Sequence, residues 1–169
     1  MSEKIKKRIA ISPLGFKDKS CEDYILQSFL NDFEDVKAFP AKHKSGVNYE
    51  GIRLYEPDMI VFLVSEEKGD SVVPVGYMNY KTRKQMFDLS ESEKLVSEIS
   101  NCFNRKRRYP LNHHSFFCLH YNAVKNSDYF FNYQFPMIRV RFNFVEEQRE
   151  ENLSLIKEGI VNYFNKKEE

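Results

Sequence analysis

Apolar residues along this chain alternate between two spacings: short runs of β-branched and aromatic residues, and longer stretches that repeat every three or four positions. That alternation predicts strands interleaved with helices, the outline of a parallel α/β sheet. The run Arg8 to Ser12 stops at Pro13 and Gly15 and predicts a buried strand that opens into a loop. Ser20 and Asp23 stand at helix-capping spacing, and Tyr24, Ile25, Phe29 and Leu30 then share one helical face. A second strand follows from Asp35 and closes near Pro40, and a short helix ends before Pro57. The unbroken apolar run Met59 to Val64 suits a strand buried on both faces.

The second half continues the pattern. Val72 to Lys81 reads as a strand in which Pro74 marks an edge or bulge. Ser90 and Glu93 cap a helix whose Leu95, Val96, Ile99, Cys102 and Phe103 share a face, so Cys102 is expected in the core. The basic cluster Arg105 to Arg108 fits the negative end of that helix dipole. Residues 137–145 predict a last strand, and Leu153, Ile156, Ile160 and Phe164 form the stripe of a final helix from about Asn152 to Phe164. The expectation is one domain over residues 1–169, a single-domain three-layer α/β/α fold with a mostly parallel mixed sheet.

Composition narrows the function classes. The 26 basic and 25 acidic side chains nearly cancel, so no global field favours nucleic acid or an anionic membrane as a partner. Aromatic residues at 15% argue against disorder, and with six glycines a phosphate-binding glycine loop is not expected. The three cysteines, Cys21, Cys102 and Cys118, are odd in number and form no CxxC pair, which fits reduced thiols in a cytoplasmic protein. The basic N-terminus carries too short an apolar run for a signal sequence, and no segment has the roughly 20 apolar residues of a membrane span.

Candidate chemistry centres on the stretch Phe116-Phe-Cys-Leu-His-Tyr121. Cys118 has His113, His114 and His120 nearby in sequence, and a helix beginning at Cys118 would lower the thiol pKa. A free cysteine is also an ordinary core residue. Asp58 opening a strand and Lys81 ending the next give an alternative, a metal-dependent nuclease of the PD-(D/E)XK type. The expected second acid is replaced there by Asn79, and Glu66, Glu67 and Lys68 fall in a turn too close to Asp58. His113, His114, Cys118 and His120 lack the paired spacing of a zinc site, so no metal and no other cofactor is expected.

Several stretches, taken in order, resemble the pyroglutamyl-peptidase I (pyrrolidone-carboxylate peptidase) family of cysteine peptidases. Ile9 to Phe16 resembles its first strand and loop, and Val36 to Val64 its strand, helix and Lys-Pro-Asp strand. Gly76 to Arg83 resembles its Ala-Ile-Asn strand, with Asn79 at the asparagine. Phe116 to Tyr121 resembles its Tyr-Val-Cys-Asn-His pattern, with Cys118 at the nucleophile and His120 at the histidine two residues on. Ile138 to Gln148 and the following helix resemble its last strand, Pro-Glu-Gln turn and final helix.

The resemblance implies a phosphorylase/hydrolase-like fold and a divergent member of the family. It would be either a cysteine amidohydrolase acting on an N-terminal cap or a catalytically degenerate homologue kept for binding. Cys118 and His120 would then be catalytic, and Phe16 and Asn79 would contact substrate. The family's glutamate position falls at Pro74 or a neighbour, and its histidine position near Arg141 and Asn143. The base must then come from elsewhere, with His43, in a loop after a strand, as the outside candidate. The expected partner is a small peptide or amide substrate, or a protein that meets the aromatic segment 126–136.

Overall fold

The computed structural model describes residues 3–14, 19–40, 47–65, 71–76, 78–79, 84–85, 88–106, 117–118, 135–142 and 146–168. In chain order the elements are β1 (Ile5–Leu14), α1 (Lys19–Leu30), β2 (Phe33–Ala38), α2 (Tyr49–Tyr55), β3 (Met59–Ser65) and β4 (Ser71–Gly76). The short β5 (Met78–Asn79) and β6 (Lys84–Gln85), then α3 (Ser90–Lys106), β7 (Phe117–Cys118), β8 (Met137–Phe142) and α4 (Glu146–Lys167) complete them. The main sheet has the order β2-β1-β3-β8-β4-β7. Strands β2, β1, β3 and β8 are parallel, β4 runs antiparallel to β8, and β7 runs parallel to β4.

The strand alternation builds the layers. Ile9, Ile11, Met59, Val61, Ile138 and Val140 point to the face covered by α1, α3 and α4, while Ala10, Ile60, Phe62 and Met137 point to the face that carries α2. The three-layer, mostly parallel mixed sheet expected from the sequence is the observed architecture.

The boundaries differ from the sequence reading for local reasons. β1 runs through Pro13, which pairs with Leu63 of β3. Ile11 turns its carbonyl toward β2, where it accepts the Phe39 N–H at 2.8 Å. Pro13, two residues on, faces the same side, where β2 has already ended, so its missing N–H breaks no ladder. β2 begins at Phe33, two residues earlier than expected, because Phe33 drops into the core and stacks on Phe29 with ring centroids 5.9 Å apart.

The expected strand 72–81 is two pieces: β4 stops at Gly76, and Met78–Asn79 pair instead with Lys84–Gln85. Among the described residues β4 is also the penultimate strand, so the edge expected around Pro74 belongs to the two residues of β7, which pair with Val75 and Gly76. Helix starts shift too. Ser20 lies inside α1, and the Ser90 N–H is held by the Asp88 carboxylate at 3.0 Å, so Asp88 caps α3 in place of Ser90. α4 starts at Glu146, six residues before the predicted Asn152, because the Glu-Glu-Gln-Arg-Glu-Glu run is strongly helix-forming without being apolar. The turn that the resemblance implied at Glu146 to Gln148 is therefore helix.

Polar ties join the helices over this core. Lys157 of α4 reaches α1, donating to the Ser28 carbonyl at 2.9 Å and pairing with Asp32 at 2.7 Å. Tyr163 of α4 donates its hydroxyl to Glu91 of α3 at 2.6 Å. That bond is the main cause holding the Glu91 carboxyl below its ordinary range, and burial with the same bond pushes the Tyr163 hydroxyl up.

A depressed carboxylate stabilises the fold fully above its unfolded pKa, and the contribution fades as pH falls through the folded value. Tyr163→Phe is accordingly expected to cost about 1–2 kcal/mol in urea unfolding near neutral pH. The gap between wild type and variant should close as pH is stepped from about 6 to about 2.5. A gap that stays constant over that range would show that the bond to Glu91 is not its source.

Candidate functional site

Cys118 sits at the end of β7, where its backbone pairs with Gly76. Because β4 runs antiparallel to β8, with Ser71 opposite Arg141 and Pro74 opposite Ile138, the Gly76 end of β4 lies at the amino rim of the parallel strands. Asn79, in β5, follows three residues after Gly76 and pairs with Lys84, so the chain brings Asn79 and Cys118 to the same end of β4. The strands that lead to Phe16 and His43 are arranged otherwise. β1 and β2 end at Leu14 and Ala38 on the carboxyl rim, and β2 lies five strand spacings from β7, roughly 24 Å across the sheet. Phe16, His43, His113, His114, His120, Lys81, Glu66, Glu67, Lys68, Asn143 and the aromatic segment 126–134 lie outside the described residues.

The other cysteines belong to the core. Cys102 is 1% exposed, and burial pushes its thiol pKa up, more strongly than the Arg105 guanidinium at 3.3 Å from Sγ pulls it down. Cys21 is buried in the same cluster. Arg105 itself pairs with Glu158 of α4 at 2.8 Å, which gives that part of the basic cluster a structural place at the end of α3.

The nuclease alternative gains no support. The Asp58 carboxylate accepts the Arg8 backbone N–H at 2.8 Å while the Asp58 N–H donates to the Arg8 carbonyl at 2.8 Å. This pair pins the start of β3 to β1, a structural use of the acid that opened that reading. Among the described residues no group of three or more His, Cys, Asp or Glu side chains converges on a point. Of the residues at or near the places where the resemblance put a glutamate and a histidine, Pro74 pairs with Ile138 and Arg141 pairs with Val64 and Ser71.

A second feature was not anticipated from the sequence. α2 is seven residues long and packs Ile52 over Ala10 and Ile60 and Tyr55 against Phe39, so that among the described residues it covers the same face of β2 only in part. The result is a surface cavity of about 640 Å³ with a floor of Arg8, Asp35, Lys37 and Phe39 and a wall of Asn48, Gly51, Leu54 and Tyr55. Arg8 is committed within it: Nε lies 3.4 Å from Asp35, and Nη1 donates to the Tyr55 carbonyl at 3.2 Å. The Tyr55 hydroxyl donates to Asp35 at 2.6 Å, and its pKa is raised by burial first and by that bond second. Asn48 caps α2, its Oδ1 accepting the Gly51 N–H at 3.1 Å. The legible signal was the two-residue period Asp35, Lys37, Phe39, which places all three on one face of a strand.

No protein-family model matches the chain, and no curated protein sequence matches it significantly. Solved structures do match in fold. The N-acetylmuramyl-L-alanine amidase Ami1 from Mycobacterium smegmatis is similar with a TM-score of 0.57 and 11% identity, over 97% of this chain and 100% of the amidase. A metallo-carboxypeptidase from Burkholderia cenocepacia is similar with a TM-score of 0.53 and 12% identity, over 95% of this chain and 58% of its own. The pyrrolidone carboxyl peptidase from Thermococcus litoralis is similar with a TM-score of 0.50 and 13% identity, over 95% of this chain and 96% of the peptidase. At these identities the likeness is one of fold, and the chain has the α/β fold of these amidase and peptidase structures.

Proposed function

We propose that this protein is a hydrolase of small amide or peptide bonds that uses Cys118 as nucleophile. The observation that carries the reading is the fold likeness to an amidase and a pyrrolidone carboxyl peptidase over nearly the whole of both chains. It is joined to the resemblance of Phe116 to Tyr121 to the nucleophile motif. In this reading the Cys118 thiolate attacks the carbonyl carbon and forms a thioester as the amine leaves. His120 takes the thiol proton and returns it to that amine, and water then releases the acid. His120 is preferred to His43 as base because the strand before His43 lies at the far edge of the sheet from β7. Asn79, near the same end of β4, would contact substrate, whereas Phe16 follows a strand that ends at the other rim.

Native alkylation tests the first requirement. Followed site by site with iodoacetamide across pH, Cys118 is expected to react with an apparent pKa below the free value of ~8.5. Cys21 and Cys102, both buried, should react only after denaturation. A Cys118 that stays silent until the protein unfolds would end the nucleophile reading.

A second reading has its own observation: Pro74 and Arg141, at or near the places where the resemblance put the acid and base, are each built into a strand. It is a homologue that binds an amide or a protein without turnover. Absence of hydrolysis with retained saturable binding of a peptide amide would establish it.

A further inference from the structure

We propose that the cavity between β2 and α2 binds a small organic carboxylate that carries an apolar group, at a site separate from Cys118. The charge pattern of the cavity sets the ligand's polarity. Arg8 and Asp35 compensate each other, with Tyr55 closing the set. Lys37 is the cation left over: its ammonium lies 5.4 Å from the Phe39 ring centroid, and no carboxylate pairs with it among the described residues. Asn48 spends its oxygen on the Gly51 N–H, which leaves its amide hydrogens as donors on the same wall. One uncompensated ammonium and one amide donor match a monoanion.

A phosphate dianion fits less well. Among the described residues, the guanidinium lining the cavity, that of Arg8, is already engaged by Asp35, whose own charge would repel a second negative charge. The apolar part of the ligand follows from the other lining residues. Leu54 is 69% exposed and is the large hydrophobic side chain left open to solvent among the described residues, and it shares the cavity with Phe39 and Pro40. A volume of about 640 Å³ falls within the range of small-molecule sites. An acylated amino acid and the last residue of a peptide present the same chemistry here. The cavity lies on the β2 edge, roughly 24 Å across the sheet from β7, so occupancy does not depend on the chemistry proposed for Cys118.

Calorimetric titration of the full chain with N-acetylphenylalanine tests this, alongside its uncharged amide and a tetrapeptide that ends in phenylalanine with a free carboxylate. The free acid is expected to saturate with a Kd of about 1 mM or tighter. The amide should bind at least about tenfold more weakly, through loss of the charge-assisted bond to Lys37. Lys37→Gln should weaken the acid by a similar factor, and Leu54→Ser by about fivefold. Both substituted side chains project into solvent, so folding is expected to survive, checked by circular dichroism.

Equal binding of the peptide would assign the site to peptide C-termini, and preference for the acylated amino acid would assign it to a free metabolite; either supports the carboxylate site. No saturable binding by any of the three, or binding unchanged in Lys37→Gln, overturns it.

Discussion

Cys118→Ala is expected to abolish hydrolysis of amide substrates, lowering turnover at least roughly a thousandfold, with loss of the acyl-enzyme seen in intact-mass spectra. The size of the effect follows from the role. A nucleophile that forms the covalent intermediate has no partial substitute, and only binding and orientation would survive its removal. Cys118→Ser should fall almost as far, since a hydroxyl needs a far stronger base than the thiol it replaces. Folding is a fair control, because Cys118 joins the sheet through its backbone pairing with Gly76, which alanine keeps. Unfolding curves that superimpose, beside a lost activity, would assign the effect to chemistry. Wild-type turnover that persists in Cys118→Ala would mean another group does the reaction.

Gly159→Ala is expected to destabilise the protein by about 1–3 kcal/mol in spite of alanine's better helix propensity. Two effects compete. In a helix interior alanine is worth up to about 1 kcal/mol over glycine. Against that, a Cβ at 159 would lie 2.6 Å from Ile99 Cα and 2.9 Å from the Ile99 nitrogen, both backbone atoms of α3. Backbone cannot rotate aside, so α3 and α4 must separate, and the packing of Leu95, Ile99, Ile156 and Ile160 loosens along the whole interface. Packing therefore wins.

Gly51→Ala is the comparison. Its Cβ would come within 2.7 Å of an Asn48 side-chain atom, which can swing away at the cost of a helix cap, so a smaller loss of about 1 kcal/mol is expected. Urea midpoints of the two variants decide the point: a Gly159→Ala protein as stable as wild type would show that the close approach of the two helices is not needed.

The layers were legible because their signal is periodic. Met59 to Leu63 announced a strand buried on both faces, and every one of those side chains is fully buried. Leu153, Ile156, Ile160 and Phe164 announced the buried stripe of α4. What could not be read were features set by neighbours in space. Nothing around Pro13 shows that β2 ends beside it, and nothing in the polar start of α4 marks its first turns. The site was legible only as a motif. Sequence order put Cys118 and His43 on one list of candidates, but strand order decides proximity, and it places β2 and β7 at opposite edges. The cavity went unread because it exists where α2 covers β2 only in part, a consequence of helix length and position.

The position of β8 carries a consequence for how the chain acquires its shape. β8 is late in sequence yet stands in the middle of the sheet, with residue 60 paired to residue 137 on one side and residue 74 to residue 138 on the other. A nascent chain can assemble β1, β2 and β3 early, but β4 has no route to them until the central strand slides between. Closing so long a loop is entropically expensive before any pairing rewards it, which makes this insertion the slow, committing event of folding. Until then the apolar flank of β3 stays unpaired, and that interval is when the protein is most exposed to aggregation.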